Sequence, residues 1–361
     1  MSYRIKVNLK HSPYTITIAK GISKIIPAYI KRADMGNFSV IITTKKVYSL
    51  YRKHIQRMFI KIPNTIIRLP DTEKSKSKTW LFHILKEMAK EDNIRRRMFV
   101  CCIGGGVTGD VGALSASLYK RGIPYIQVPT TLLAQVDSSI GGKTAIDLFG
   151  IKNIIGTFYH PKAVFIDTLF LETLPKKELK QGISEAIKYG IIKDKNIFIS
   201  MQKNYNKIFN LDNDYMEKIV YKCASIKARI ISIDEKEDKG IRTLLNFGHT
   251  TAHALEAALK FTKISHGEAV ALGMIQAAYL SKYMNLCSPE DVGNIKSIIK
   301  LYGLPLKTSF NIKSLMNYLE HDKKFTKGKI RMVLISEIGK ALVKNNIPKR
   351  IIKESMQHIA A

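Results

Sequence analysis

MFVCCIGGGVTGDVGALSASLY, residues 98–119, is the stretch that decides the fold. Its first six residues are an unbroken apolar run, the habit of a strand buried on both faces of a parallel sheet. The run passes directly into glycines and then into a segment with helical character. Gly104, Gly106 and Gly109 match G-x-G-x-x-G between the strand and the helix. In that context a pyrophosphate can sit on backbone amides at a helix N-terminus. One usual partner is missing, because no Asp or Glu lies about 20 residues further on to hold a ribose. Such contacts must come from elsewhere, and Asp71, Glu73 and Lys76 in the polar loop DTEKSKSK are candidates. The same loop also reads as an ordinary helix start with Thr72 as its cap.

Outward from this stretch the first half of the chain alternates strands and helices. RIKVNL and YTITIA flank a His-Ser-Pro turn and read as a hairpin. GISKIIPAYIKRA is helical, SVIITT a strand, VYSLYRKHIQRMF a helix, NTIIRLP a strand and TWLFHILKEMAKEDN an amphipathic helix; IPYIQVPTT is a further strand. That order predicts a Rossmann-like, mainly parallel, doubly wound sheet over residues 1–175. Near LETLPKKEL (171–179) the grammar changes to long helical segments, among which only IRMVLIS looks strand-like. Residues 176–361 are expected to form a mainly α-helical second domain.

Composition narrows the function classes. The 361 residues suit two domains of ordinary size, and 45% apolar residues is a globular value. No segment approaches the roughly 18 uninterrupted apolar residues of a membrane span. MSYRIKVNLKHSPYTI alternates in polarity and reads as a strand, not a signal peptide, so the cytoplasm is the expected compartment. Cys101, Cys102, Cys223 and Cys287 form no C-x-x-C pair, which argues against a thiolate zinc site or a disulfide framework. The formal charge of +30 raises nucleic acid as a partner. The lysines are spread along the whole chain with no basic tail, so neither a nucleic-acid nor a membrane partner is expected.

Two segments carry most of the remaining chemistry. In PTTLLAQVDSSIGGKTAID (129–147), Gly141-Gly142-Lys143 resembles a phosphate cradle without P-loop spacing. Lys143, Lys152 and Asn153 suit a ligand phosphate, and Asp137 is a carboxylate in a stretch of small and apolar residues with a functional or a turn role. In RTLLNFGHTTAHALE (242–256), Asn246, His249 and His253 recur at i, i+3 and i+4 spacing, which on one helix places them on one face. A helical H-x-x-x-H pair can hold a metal, or the two imidazoles can be capped or core groups. His266 follows in SHGE (265–268), and Glu185 stands upstream in SEAIKYG with Lys188 one turn later.

The series GGGVTGD, YKRGIPYIQVPTTLLAQVDSSIGGKTA, KNIIGTFYHP, SEAIKYGII, LLNFGHTTAHALEA, HGEAVALGM and DKK resembles the 3-dehydroquinate synthase family of sugar phosphate cyclases, in order and spacing over roughly residues 4–358. The resemblance implies a homodimer, one bound NAD and one divalent metal, Zn or Co. It makes Glu185, His249 and His266 the metal ligands and leaves His253 to the substrate. NAD contacts would come from Asp71, Glu73, Lys76, Gly106, Val107, Thr108, Gly109, Asp110, Thr130, Thr131, Lys143, Lys152, Phe170, Leu171, Glu172 and Thr173. The substrate pocket would use Asp137, Lys143, Asn153, Lys188, Lys227, Arg242, Asn246, His253 and Lys323 of the DKK segment, with Arg121 reaching a neighbouring subunit's site.

The implied substrate is a phosphorylated sugar acid, 3-deoxy-D-arabino-heptulosonate 7-phosphate, converted to 3-dehydroquinate and phosphate in the shikimate pathway. Transient oxidation of the C5 hydroxyl by NAD acidifies the C6 proton and lets phosphate leave; re-reduction and an intramolecular aldol follow. Some positions depart from the family pattern. The D-G-E loop reads Asp71-Thr72-Glu73, P-L-G-K-N reads Phe149-Gly150-Ile151-Lys152-Asn153, and Thr251-Ala252 stands where Phe-Gly is usual. The alternatives are another sugar phosphate cyclase or a metal-dependent polyol dehydrogenase of the same fold.

Overall fold

The computed structural model describes residues 2–149, 151–260, 263–321, 325–326 and 329–361. Two compact units emerge, Met1–Pro175 with Asn213–Lys236, and Lys176–Asp212 with Glu237–Ala361.

The first unit is built on β1 (Tyr3–Val7), β2 (Tyr14–Ile18), β3 (Phe38–Thr44), β4 (Asn64–Leu69), β5 (Met98–Gly104), β6 (Tyr125–Pro129), β7 (Lys143–Leu148), β8 (Ile151–Phe158) and β9 (Ala163–Ile166). Seven of these form one sheet in the order β1-β2-β9-β6-β5-β3-β4. Every pairing in it is parallel except the β1–β2 hairpin. Helices α1 (Ile26–Arg32), α2 (Lys45–Met58), α3 (Lys78–Glu91) and α4 (Gly106–Leu118) link its strands.

Alternation along β5 shows why the sheet is covered twice. Phe99, Cys101 and Ile103 join Ile26, Ile55 and Met58 of α1 and α2 in one core. Val100 and Cys102 join Leu81, Ile84 and Val111 of α3 and α4 in the other. Successive side chains of a strand point to opposite faces, so the adjacent cysteines serve two cores. Both are free thiols, and burial raises them far above the usual thiol range.

The second unit contains α5 (Lys176–Ile192), α6 (Lys195–Lys203), α7 (Tyr205–Phe209), then α9 (His249–Ala258), α10 (His266–Tyr283), α11 (Pro289–Leu301), α12 (Ile312–His321) and α13 (Lys349–Met356). A small antiparallel sheet, β10 (Phe325–Thr326), β11 (Lys329–Glu337) and β12 (Lys340–Ile347), belongs with them. Helix α10 packs on α5, α9, α11, α13 and β11. Its residues Ala269–Ala278 are buried without a break, as suits a helix enclosed by other elements.

A single division at residue 175 needs amending. Helix α8 (Asn213–Ile233) belongs to the first unit. Its Tyr221 stacks on Tyr3 with ring centroids 4.5 Å apart, and Glu217 accepts from the Lys20 amide at 2.7 Å. Among the described residues no helix is long and apolar enough to cross a membrane.

A buried carboxylate ties the end of β9 to the turn before α1. Asp167, fully enclosed, accepts from the amides of Gly21 at 2.7 Å, Ser23 at 3.1 Å and Leu169 at 3.1 Å, and from Ser23 Oγ at 2.6 Å. Asp167→Ala strands these donors, and each buried unpaired group costs about 1–3 kcal/mol. We expect a loss of at least about 2 kcal/mol in denaturant unfolding; a change within about 0.5 kcal/mol, the size of an ordinary surface effect, would show that the carboxylate is no anchor.

Candidate metal centre and nucleotide loop

Glu185 lies on α5 with no solvent exposure. A buried carboxylate is disfavoured unless cations surround it. Lys188, one turn along the same helix, places Nζ 2.5 Å from Oε2. His249 Nε2 stands 3.3 Å and His266 Nε2 3.5 Å from Oε1. Burial works to raise the Glu185 carboxyl, but Lys188 and the two histidines outweigh it and hold the group well below the usual carboxylate range.

The two imidazoles reach Glu185 through backbone devices adjacent to each. Gly248, with φ +76°, ends the turn Arg242–Asn246 and starts α9 at His249. It crosses Gly273 of α10 so closely that a Cβ on Gly273 would lie 2.0 Å from Gly248 O. Ser265 caps α10, its amide donating to Glu268 Oε2 at 2.9 Å, so SHGE is a capping box that presents His266 as the first helical residue. The next residue, Gly267, packs on α5 at Gln181, one turn before Glu185; a Cβ there would stand 2.4 Å from Gln181 Cα.

These three side chains fit a metal ion. Their ligand atoms all lie within 4.8 Å of one another. Atoms about 2.0–2.1 Å from a tetrahedral ion stand about 3.3 Å apart, which matches the His249–Glu185 and His266–Glu185 separations. Neither oxygen of Glu185 makes a hydrogen bond of good geometry. His249 Nδ1 donates to Phe247 O at 3.1 Å, leaving Nε2 as the lone-pair nitrogen. Burial and then Lys188 lower the pKa of His249, which keeps it neutral.

His266 Nδ1 stands 3.5 Å from Glu256 Oε1. Burial disfavours its charged form, but Glu185 and Glu256 overcome this and push its pKa up to about 10. A cation is therefore favoured at this point, whether proton or metal. Glu256, buried on α9, was not singled out as a site residue in the sequence, although it lies seven residues from His249 on the same helix face.

His253 is outside the donor set and exposed, its ring perpendicular to His249 at 5.6 Å. Asn246 does not share a helix with the histidines: it ends the preceding turn and donates to Glu237 Oε1 at 3.0 Å. The left-handed Gly248 breaks the assumed periodicity. Arg242, at the start of that turn, is buried. Lys323 lies outside the described residues.

In the first unit, Gly104 ends β5 and Gly106 opens α4. A Cβ on Gly104 would meet Thr108 Oγ1 at 2.5 Å, so only glycine admits that hydroxyl. The Thr108 and Ser138 hydroxyls are buried with no hydrogen-bond partner among the described residues, and Ser138 Oγ lies 3.2 Å from where a Gly106 Cβ would be. A helix N-terminus with buried donors beside it fits the pyrophosphate of a dinucleotide. Val107 and Gly109 lie in the same first turns of α4, and the Thr130 amide donates to Gly104 O at 3.0 Å.

Other expected residues form a connected network. Lys76 Nζ pairs with Asp110 Oδ2 at 2.7 Å and contacts Asn153 Oδ1 closely, while the Asn153 amide donates to Asp147 Oδ1 at 2.8 Å. Burial opposes both charges; at Lys76 the Asp110 carboxylate prevails and raises the ammonium, whereas enclosure raises Asp110 despite Lys76. The short contact is that of an ion pair, in which each group holds the other charged. Asp137 sits in the π-turn Ala134–Ser138, and Lys227 of α8 donates to its carbonyl at 2.8 Å and its Oδ1 at 2.7 Å.

The rest serve more ordinary contacts. Asp71 accepts from the Lys46 amide at 2.9 Å, at the start of α2. Glu73 opens a 3-10 turn for which Thr72 supplies no side-chain cap. Thr131 Oγ1 accepts from the Ala134 amide at 3.2 Å. Phe170 and Leu171 are core residues, each 1% exposed. Glu172 pairs with Lys20 at 2.6 Å, and Thr173 Oγ1 meets Tyr51 OH at 2.8 Å. Lys143 is exposed at the start of β7, Lys152 is half-buried, and Arg121 is exposed with φ +63°.

Solved structures place this architecture in a class. A 2-deoxy-scyllo-inosose synthase complexed with carbaglucose-6-phosphate, NAD+ and Co2+ is 28% identical, with a TM-score of 0.84 over 98% of this chain and 99% of that one. The 2-epi-5-epi-valiolone synthase of Streptomyces hygroscopicus subsp. jinggangensis, with NAD+ and Zn2+ bound, is 25% identical, with a TM-score of 0.88 over 97% of each chain. A probable glycerol dehydrogenase from Sinorhizobium meliloti, 12% identical at a TM-score of 0.67, shares the fold alone. The fold is that of the sugar phosphate cyclases.

Within that class, residues 66–181 match the 3-dehydroquinate synthase N-terminal model and residues 182–325 the C-terminal one. A 3-dehydroquinate synthase of Vibrio atlanticus is 41% identical over 357 residues, 98% of each chain, and one of Dictyoglomus thermophilum is 40% identical over 98% of this chain and 97% of the other. The chain belongs to the 3-dehydroquinate synthase family.

In a metal titration of chelator-stripped protein, His249→Ala and His266→Ala are expected to abolish tight Zn2+ or Co2+ binding, while His253→Ala retains it. Glu256→Gln should weaken binding about tenfold, as loss of a ligand's supporting carboxylate does. Retention by His266→Ala with loss by His253→Ala would reverse the ligand assignment.

Proposed function

We propose that this chain is a cytoplasmic, homodimeric 3-dehydroquinate synthase that converts 3-deoxy-D-arabino-heptulosonate 7-phosphate to 3-dehydroquinate and phosphate, using NAD and one divalent ion. The observation that carries the reading is the convergence of Glu185, His249 and His266 in a chain about 40% identical, nearly end to end, to 3-dehydroquinate synthases.

Glu185, His249 and His266 would hold the ion, and the first turn of α4, Gly106–Asp110, would hold the NAD pyrophosphate. When bound, the dinucleotide supplies reversible hydride acceptance, and the ion supplies Lewis acidity toward substrate hydroxyls. Lys188, enclosed beside Glu185, keeps that carboxylate ionised and ready to bind a cation. Lys227 keeps its ammonium fixed on Asp137. Arg242 has the planar fork that suits a carboxylate bidentately, and Asn246 and Lys323 are assigned to the same end of the substrate. Lys143, Asn153, Arg121 and His253 are assigned to its phosphate. No side chain is assigned as the base for proton removal.

An exposed apolar edge supports the dimer. Strand β8 pairs only with β7 among the described strands, and Ile151, Ile154, Ile155 and Phe158 on it are each at least 40% exposed. An uncovered apolar edge strand invites pairing with another chain. Ile155→Lys is expected to shift the protein from dimer to monomer in sedimentation, and an unchanged mass would place the interface elsewhere.

The test of the activity is turnover of the heptulosonate phosphate by metal-replete protein with NAD. Phosphate and 3-dehydroquinate should form in equal amounts without accumulation of NADH. Net NADH production from a glycerol-like alcohol, with no phosphate release, would assign the chain to the polyol dehydrogenases instead.

A further inference from the structure

Helices α9 and α10 are joined at two levels. At the first, Gly248 and Gly273 cross backbone to backbone. At the second, three residues further along each chain, Thr251 Oγ1 donates to Gln276 Oε1 at 2.9 Å. Gln276 Nε2 donates in turn to Ser355 Oγ of α13 at 2.6 Å, and Ser355 Oγ to Ile352 O at 2.7 Å. The last bond sets the direction of the whole chain, because a hydroxyl that donates to Ile352 O must accept from the amide. Thr251, Gln276 and Ser355 have no solvent exposure.

The two levels do different work. A close glycine crossing limits the distance between helices but leaves each free to roll about its axis. A directional hydrogen bond one turn away removes that freedom, because a rolled helix would leave buried polar groups unpaired. Apolar side chains at these places could pack in more than one roll state, since cores lose uniqueness before they lose stability. In sequence His249 stands one residue after Gly248 and two before Thr251. The direction of its Nε2 toward Glu185 therefore depends on the roll of α9.

We propose that Gln276 is a positioning residue: by tying Thr251 of α9 to Ser355 of α13, it sets the roll of α9 and aims His249 at Glu185 and His266. This role matters to function only on the metal reading given above. Gln276 touches none of the three ligands in the hydrogen-bond chain, so it acts through the helix that carries one of them.

Four full-length proteins test it: the parent, Thr251→Ser, Thr251→Val, and the double variant Thr251→Val/Gln276→Leu. Each is stripped with a chelator, refilled with Co2+, and read by its visible absorption, by its Co2+ affinity in competition with a chelator, and by thermal unfolding. Thr251→Ser keeps the hydroxyl and should match the parent in spectrum and affinity. Thr251→Val and the double variant should bind Co2+ about tenfold more weakly, with shifted bands. The double variant removes both ends of the bond, and Ser355 still donates to Ile352 O, so its stability should recover relative to Thr251→Val.

A merely structural role would let Co2+ affinity and bands recover together with stability in the double variant. That recovery, or an unchanged affinity and spectrum in Thr251→Val, overturns the positioning role. Should the double variant not fold, the Ser and Val variants decide the matter between them. A parent that takes up no Co2+ at Glu185, His249 and His266 overturns the metal reading and the positioning role together. A parent that binds and variants that match it overturn the positioning role alone.

Discussion

A carboxylate with no solvent exposure is the constraint on which the second unit depends. Glu185 cannot remain charged inside a helical core unless cations are supplied around it. Lys188 comes with the same helix, at the cost of nothing more than one turn of spacing. The two imidazoles that complete the donor set come from other helices, and each arrives beside a glycine: His249 after Gly248, His266 before Gly267. A side chain at either glycine would hold the helices apart, and the donor atoms would no longer converge. Glu256 beside Nδ1 of His266 and the carbonyl of Phe247 at Nδ1 of His249 then leave each Nε2 facing Glu185.

The first unit meets a different constraint. Its sheet is buried on both faces, so a ligand meets its backbone most readily where strands end, and the β5–α4 turn is one such place. Beside that turn Lys76, Asp110, Asn153 and Asp147 hold one another in a network anchored on the buried Lys76. Groups assigned to different ligands by resemblance are thus mechanically linked, and Asp137 and Lys227 are linked in the same way through α8.

Most elements with strong periodicity or continuous apolar character were legible in the sequence; the four-residue strand β9, AVFI, was not, although it is buried throughout. MFVCCI, SVIITT and the β1–β2 hairpin were readable because their burial is unbroken or alternates. Strand β8 was missed since nearly all its residues are exposed, which leaves no period-two signal. Strand β12, KALVKNNI, was missed for a similar reason: its partner β11 supplies the burial, and its own residues are mostly half-buried or exposed. Helix α8 was recognised as a helix but assigned to the wrong unit, because the contacts that place it, Tyr221 on Tyr3 and Lys227 on Asp137, join residues far apart in sequence.

By itself the sequence determined the α/β character of the first half, the helical character of the second, the glycine turn at 104–109 and, through family resemblance, the ligand set Glu185, His249 and His266. Helical spacing alone pointed to His249 with His253, since i and i+4 positions share a face on any helix. The tertiary structure gathers the donor atoms of Glu185, His249 and His266, and it alone decided that Asn246 stands off that helix and that Glu256 supports His266. The physical reason is that periodicity reports one helix at a time. Convergence on a buried charge is a property of three helices packed together, and the distances that make it are set at their crossings.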